Sequence, residues 1–377
     1  MYKVTNYKQI CIIRFFLAGF ESCVFSGIHL ILLRWYKKEE LALRTSFFVI
    51  SGQLGNLFSS TLQSAIYTNM DNYRGLAGWR WLFIIDFLIT LFVVAYLLIF
   101  FIDYPEICHP YLFTKEELEL AKSRLPQSPE TKFDWTVFKR VVGRWHWWLF
   151  SFLWVLGGEN ESFATNSLFS LWLQYYNYTI PQRNHYPMGI YGIGAFVNVF
   201  FAFYIDYTGA KYHWRTGIVI AIVMVIASIL MLAKPYTASY VFAAQYLGGV
   251  AYGGQTVFFA WANNVCFDDL EERAVVLASM NMFSNAVNAW WLILFYAADT
   301  VPEFKKGNYA MLATAIASGF VCGLIRYLQV RDEKRAPLVD AATNEVMKDL
   351  DLEESIESGE NLKHEPNIVS VRTHYSS

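Results

Sequence analysis

Nine apolar runs, each long enough or nearly long enough to cross a lipid bilayer, leave this chain little freedom in what it can fold into. They lie at 9–33, 45–67, 80–102, 145–176, 186–207, 216–233, 239–265, 274–298 and 307–330, and a membrane-spanning helix needs about 20 mostly apolar residues. Hydrocarbon offers no partner to a backbone N–H or C=O, so each run is predicted to be a helix that satisfies its own hydrogen bonds. Composition agrees: 55% of the residues are hydrophobic, 18% are aromatic and 16% are charged, where a soluble domain carries about a quarter charged. The fold class predicted is an all-α membrane protein, a bundle of about nine transmembrane helices. The first run continues too far for a signal-peptide core, and no small-residue cleavage pattern follows it, so it is expected to span.

The runs divide three plus six around one long polar segment. Four regions follow: 1–102 with three spans, a linker at 103–144, a six-helix bundle at 145–330 and a tail at 331–377. Within the linker, Thr114-Lys115-Glu116-Glu117 has the form of a capping box, in which Thr114 caps the helix start and Glu117 reaches back. An amphipathic helix is predicted through Leu118, Leu120 and Leu125, halted by Pro126 and Pro129. A second piece at 133–142 mixes Trp135, Val137 and Phe138 with Lys139, Arg140 and the following Arg144, a pattern suited to a membrane surface.

Lys and Arg concentrate in the first connector (Arg34, Lys37, Lys38, Arg44) and in the linker, which should therefore be cytoplasmic. The alternate connectors carry few cations (Arg74, Arg183, Lys234) and should face outside. The tail is then cytoplasmic. Its acids, Asp349, Asp351, Glu353, Glu354, Glu357 and Glu360, predict disorder. Asn177-Tyr178-Thr179 is a glycosylation sequon in a connector placed outside, which makes Asn177 a candidate modification site.

Several function classes fall away. A net charge of -2 without a basic block points to no nucleic-acid partner. Cys11, Cys23, Cys108, Cys266 and Cys322 lack metal-ligand spacing and are expected to be packing residues, so no metal or cofactor is expected. Phosphate-binding glycine loops and nucleophile elbows are absent from the sequence, so the chain is not expected to be an enzyme.

Ionisable groups inside spans are functional candidates because each costs about 2.5 to 3.5 kcal/mol on insertion scales. Glu21, Asp86, Glu159 and Glu161 qualify. Glu159 and Glu161 stand about 200° apart around a helix, so both can face one cavity only if the helix breaks. The Gly157-Gly158 pair ahead of them permits a break, with Asn160, Ser162, Thr165 and Asn166 nearby. Proton coupling by Glu161, Glu159 or Asp86 stands beside structural hydrogen bonding as the reading of these acids. Glu21 is expected to pair with Arg14, two turns back, and Asp86 with Arg80 or with local backbone. Asn281, Asn285 and Asn288 share a helical face by their 4,3 spacing, and Gln245, Gln255 and Asn263 make the preceding helix similarly polar. Such amides either line a pathway or glue helices together.

Family motifs run through both sides of the three-plus-six division. The stretch Arg14-Phe15-Phe16-Leu17-Ala18-Gly19-Phe20-Glu21 resembles the fourth helix of major facilitator transporters, with Ala18 at the family's glycine. Gly78-Trp79-Arg80 through Asp86 resembles the sixth helix of their anion:cation symporter branch. Asp206-Tyr207-Thr208-Gly209-Ala210-Lys211, with Arg215, resembles the second-half copy of the superfamily's cytoplasmic loop motif. Phe258-Phe259-Ala260-Trp261-Ala262-Asn263-Asn264, Glu272-Arg273-Ala274, Met280-Asn281-Met282-Phe283 and Asn288-Ala289-Trp290-Trp291 resemble the fungal allantoate-permease family, most closely its pantothenate:proton symporters. On that alignment the chain carries three helices of the first half and six of the second, as if lacking the first three.

The resemblance implies a plasma-membrane symporter that imports a small monocarboxylate with a proton; a monomer is expected, although no residue pattern fixes the oligomeric state. Asn160, Asn166, Gln255, Trp261, Asn263, Asn281, Asn285 and Asn288 become substrate-binding candidates, and Arg14, Glu21, Asp206, Lys211 and Arg215 a structural charge latch. Sibling permeases for other vitamins or for allantoate share the motifs. A truncated remnant or regulator without transport activity is the reading from a different class.

Overall fold

The computed structural model describes residues 1–37, 40–102, 113–124, 136–165, 168–267 and 269–357. Among them every regular element is helical. The α-helices are α1 (Tyr7–Trp35), α2 (Leu41–Met70), α3 (Gly78–Phe100), α4 (Lys115–Ser123), α5 (Thr136–Val142), α6 (Trp145–Thr165) and α7 (Leu168–Tyr175). They continue as α8 (Ile180–His185), α9 (Met188–Tyr207), α10 (His213–Ala233), α11 (Ala238–Gly248), α12 (Gly253–Val265), α13 (Leu270–Phe295) and α14 (Lys305–Glu357).

Each predicted run is helical, and polar caps set several of the starts. Asn6 accepts from the Lys8 N–H at the head of α1. The expected Thr114–Glu117 box opens α4, and a second box, Thr179 with Gln182, opens α8. Asp269 accepts from the Glu272 N–H to start α13. Each such acceptor satisfies a donor that the helix itself leaves unpaired. Among the described residues four stretches, Gly78–Phe100, Ile180–Tyr207, His213–Ala233 and Lys305–Arg335, are long and apolar enough to cross a membrane by length and composition alone.

One predicted span is interrupted: the run at 239–265 divides into α11 and α12 across a 3-10 turn at Gly249–Tyr252. In the run at 145–176, α6 and α7 lie on either side of residues 166–167, which are outside the described residues. The break expected at Gly157-Gly158 is not there: α6 runs through both glycines to Thr165. Their use is close packing. A Cβ on Gly158 would collide with Ser284 of α13, and one on Gly157 would come within 3.0 Å of the Phe258 ring of α12.

α12 is the centre of the packed core, with Val257, Phe258, Phe259, Ala260, Trp261 and Ala262 all buried. Its middle, from Val257 to Ala262, is apolar on every side, as a segment enclosed by other helices must be. α6 lies against α13 and α12, α9 against α2 and α12, and α10 against α11 and α12. α3 is the opposite case, apolar yet open, with Phe92 at 76% and Leu98 at 83% exposure. Such a surface suits hydrocarbon rather than water.

The chain forms two compact units, Met1–Ile325 and Arg326–Ser377. In the second, helix extends to Glu357, where the acidic composition predicts a disordered tail from 331. That segment is rich in Leu, Ala, Glu, Lys and Met, whose helix propensity does not depend on burial. Arg326 pairs with Glu333 at 3.3 Å on its surface. Leu125, Pro126, Pro129, Trp135, Cys108 and Glu360 lie outside the described residues.

Candidate functional site

Glu161 is the acid around which a site assembles. α6 carries it into the core at 8% exposure, and the Gln255 side-chain amide of α12 donates to one of its carboxylate oxygens at 2.9 Å. The other oxygen is buried without a hydrogen-bond partner. A carboxyl held through one oxygen and free at the other can carry a proton on the free oxygen. The Tyr252 hydroxyl, also buried without a hydrogen-bond partner, lies in electrostatic range of both Glu161 and Tyr191. The Tyr191 and Tyr252 rings are 6.0 Å apart. Tyr191 in turn lines a cavity of about 150 Å³ shared with Ser60, Gln63, Ser170, Arg183 and Asn184. An acid in the core, two tyrosines and a polar cavity therefore follow one another. The cavity sits at the α7–α8 end of the bundle, opposite the end where α5 meets α6.

Glu159 faces elsewhere, as its angular offset from Glu161 requires. It is 1% exposed, and Ser162, in hydrogen-bond reach of its carboxyl, and Tyr296 are polar neighbours. Asn160 bridges to α14, its side-chain oxygen accepting from the Thr314 hydroxyl at 2.8 Å. Asn166 lies outside the described residues.

The remaining predicted residues are scattered by the packing. Trp261, expected to wall the pathway, is a core residue at 2% exposure, edge-on to Phe150 at 5.7 Å and stacked over His213 at 6.3 Å. Asn263 is buried with its side-chain oxygen unpaired. On α13 the Asn285 amide donates to the Asn281 carbonyl at 2.8 Å and to its side-chain oxygen at 2.9 Å, while Asn288 is half-buried. Asp86 lies on the exposed face of α3, and Arg80 donates instead to the Tyr2 carbonyl at 2.9 Å. Arg14 and Glu21 are both exposed and form no ion pair among the described residues.

One latch residue joins two helices. A carboxylate oxygen of Asp206, at the end of α9, accepts from the Leu43 N–H at 3.1 Å, capping α2 where Glu40 makes no side-chain cap. Gly209 and Ala210 follow with φ of +63° and +59°, which turns the chain toward α10. Lys211 is exposed, and the Arg215 guanidinium lies 4.0 Å from the Tyr212 ring centre and 5.3 Å from that of Trp214. At its other end α2 meets α8 through Asn184 and Ser64, 3.4 Å apart.

Sequence reading missed a charged cluster beside the linker. Arg140 pairs with Asp269 and Glu271, both at 3.0 Å. Arg144 and His146 both engage Glu272, which is 1% exposed on its side chain. Burial by itself would push the Glu272 carboxyl up; the hydrogen bond and charge of His146, and then of Arg144, outweigh it and hold the group below its ordinary 4.5. Ligand atoms of His146, Cys266 and Glu272 lie within 4.8 Å of one another. The set suits a metal poorly, because Arg144 occupies the same carboxylate and burial pushes the Cys266 thiol up, keeping it protonated. No spacing rule could have found this cluster, since its halves lie 128 residues apart. Gln63 did leave a signal: Gly52, Asn56, Ser59 and Gln63 repeat at 4,3,4 along α2, a polar helical face.

The model of the Major Facilitator Superfamily matches residues 2–292. The chain belongs to the major facilitator superfamily. It is 52% identical to the pantothenate transporter FEN2 of Saccharomyces cerevisiae, over 90% of this chain and 69% of that protein. It is 33% identical to the pantothenate transporter liz1 of Schizosaccharomyces pombe, over 88% of this chain and 65% of that protein. The vitamin H transporter of S. cerevisiae is 26% identical over 89% of this chain and 58% of its own length. The chain thus spans about two thirds of the length of its major facilitator relatives. These relatives are transporters, not enzymes, and the membership makes the chain a multi-pass membrane protein.

Proposed function

We propose that the chain imports pantothenate across the plasma membrane by proton symport, with Glu161 as the group that takes up and releases the proton. The 52% identity to a pantothenate transporter carries the substrate reading. The geometry around Glu161 supports the coupling: one oxygen is held by Gln255, the other is free, and Tyr252 and Tyr191 lead from it to the polar cavity. When Glu161 is ionised, Gln255 donates to a carboxylate; when it is protonated, its free O–H can turn toward a ligand or toward Tyr252. Such a group lets two rigid arrangements of the helices differ in proton occupancy, which is what alternating access requires.

The test is uptake of labelled pantothenate in cells lacking their own permease and expressing this chain. The expected result is uptake stimulated at acidic outside pH. Glu161→Gln, which keeps the shape and the hydrogen bond but cannot ionise, is expected to reduce acid-stimulated uptake by about a hundredfold, within the range a positioned proton-transfer group contributes. Equal acid stimulation in Glu161→Gln would rule out this residue as the coupling group. Absence of uptake, with the protein at the cell surface, would overturn the substrate reading.

A further inference from the structure

Resting on the monocarboxylate reading above, we propose that Arg183 recognises the carboxylate of the transported anion in a docking site between α2 and α8. The cavity lined by Arg183 holds about 150 Å³, room for roughly five waters. That is enough for a carboxylate and its nearest carbons, not for a whole vitamin.

Its wall is polar from several elements: Ser60 and Gln63 of α2, Ser170 of α7, Arg183 and Asn184 of α8, and Tyr191 of α9. The Arg183 guanidinium spends one donor on the Gln174 side-chain oxygen at 2.8 Å. Its Nε is buried and makes no hydrogen bond, and no acidic side chain pairs with Arg183 among the described residues. The backbone beneath it is anchored, because the Ser170 hydroxyl donates to the Arg183 carbonyl at 3.0 Å. Several other cations are paired with acids, Arg140 and Arg144 with Asp269, Glu271 and Glu272, Arg124 with Glu40 and Lys305 with Glu303; Arg273 also keeps a buried Nε without a hydrogen bond but lies over the Phe267 ring and does not line this cavity.

A planar guanidinium presents donors in a fork that matches the two oxygens of a carboxylate. A buried donor left over at the edge of a polar cavity is the feature that an incoming anion satisfies and a neutral analogue does not. Ser60 and Gln63 of α2 line the same cavity as the cation; the Ser60 hydroxyl donates to the Asn56 carbonyl and the Gln63 amide to Ser59, which leaves their oxygens as acceptors. Tyr191 then joins the site to Tyr252 and Glu161. The anion is therefore selected at the α7–α8 end of the bundle, and the proton is held one step further in.

The experiment uses the full chain in permease-deficient cells, with initial rates for pantothenate and competition by pantothenyl alcohol, in which CH2OH replaces the carboxylate. Arg183→Gln is expected to raise KM by about tenfold with the maximal rate changed by less than about threefold, the signature of lost ground-state binding. The preference for pantothenate over the alcohol should collapse by the same factor. Arg183→Lys, which keeps the charge but not the fork, should fall between the two, and it decides the question if Arg183→Gln does not reach the cell surface. An unchanged KM and an unchanged preference in the variant at the surface would overturn the proposal.

Failure of the substrate reading looks different. If the wild type takes up no pantothenate, thermal stabilisation of the purified protein is measured with biotin and nicotinate against their amides. Stabilisation by an acid but not its amide, lost in Arg183→Gln, would sustain the site with another substrate. Equal stabilisation of wild type and variant, or none by any of these acids, would overturn it.

Discussion

Glu159 and Glu161 differ by two positions in sequence and by everything that matters in their surroundings. Glu161 meets Gln255 from α12, whereas Glu159 has Ser162 and Tyr296 as polar neighbours. The two glycines before them decide how α6 sits rather than where it bends. Because a Cβ at Gly158 would strike Ser284 and one at Gly157 would press on Phe258, α6 can approach α12 and α13 only with hydrogen at those positions. Gly158→Val is therefore expected to lower stability by about 1–3 kcal/mol through overpacking. A lowered melting temperature of the purified protein, with Glu161→Gln leaving that temperature nearly unchanged, would separate packing from coupling at this helix.

At the level of elements, the short α5 is tied to the start of α13. Val137 and Val141 bury its apolar side, and Arg140 and Arg144 reach Asp269, Glu271 and Glu272. Both arginines are more than two fifths exposed on their side chains, so their pairs with Asp269 and Glu271 contribute little, about 0 to 1 kcal/mol each. Glu272 is different because it is buried. Its carboxyl is held below the ordinary 4.5 by His146 and Arg144, so its contribution is fully present above that ordinary value and is lost as pH falls through the lowered folded one. Thermal unfolding of wild type and Glu272→Gln across pH should show the wild type more stable near neutrality and the difference shrinking in acid below about pH 4.5. A constant difference down to pH 3 would show that the carboxylate charge is not what holds α5 to α13.

For the molecule as a whole, the two ends of the bundle carry different chemistry. One has α5, α6 and the ion pairs at the start of α13; the other has α7, α8, the polar cavity and Asn177. Asn177 is exposed with φ of +57° in the turn before α8, and the Thr179 hydroxyl is already engaged with Gln182 as that helix's cap. The cations of the linker predict that this end faces outside, and on that orientation glycosidase treatment should increase the electrophoretic mobility of the wild type but not of Asn177→Gln. Absence of any shift, together with labelling of a cysteine placed at Lys211 only from outside, would reverse the orientation.

The helical character of the apolar runs and the capping box at Thr114 were legible in the residues. Each depends on local properties: hydrocarbon forces every apolar run to close its own backbone hydrogen bonds, and a cap acts within four residues. The angular separation of Glu159 and Glu161 was legible for the same reason. Which polar groups meet was not. Gln255 reaches Glu161 across 94 residues, Leu43 reaches Asp206 across 163, and Arg183, read only as one cation in a connector, stands beside a cavity that α2 helps to close. Trp261 could equally have faced a pathway or a core. Helical spacing says which residues share a face; only the packing of one helix on another says what that face meets.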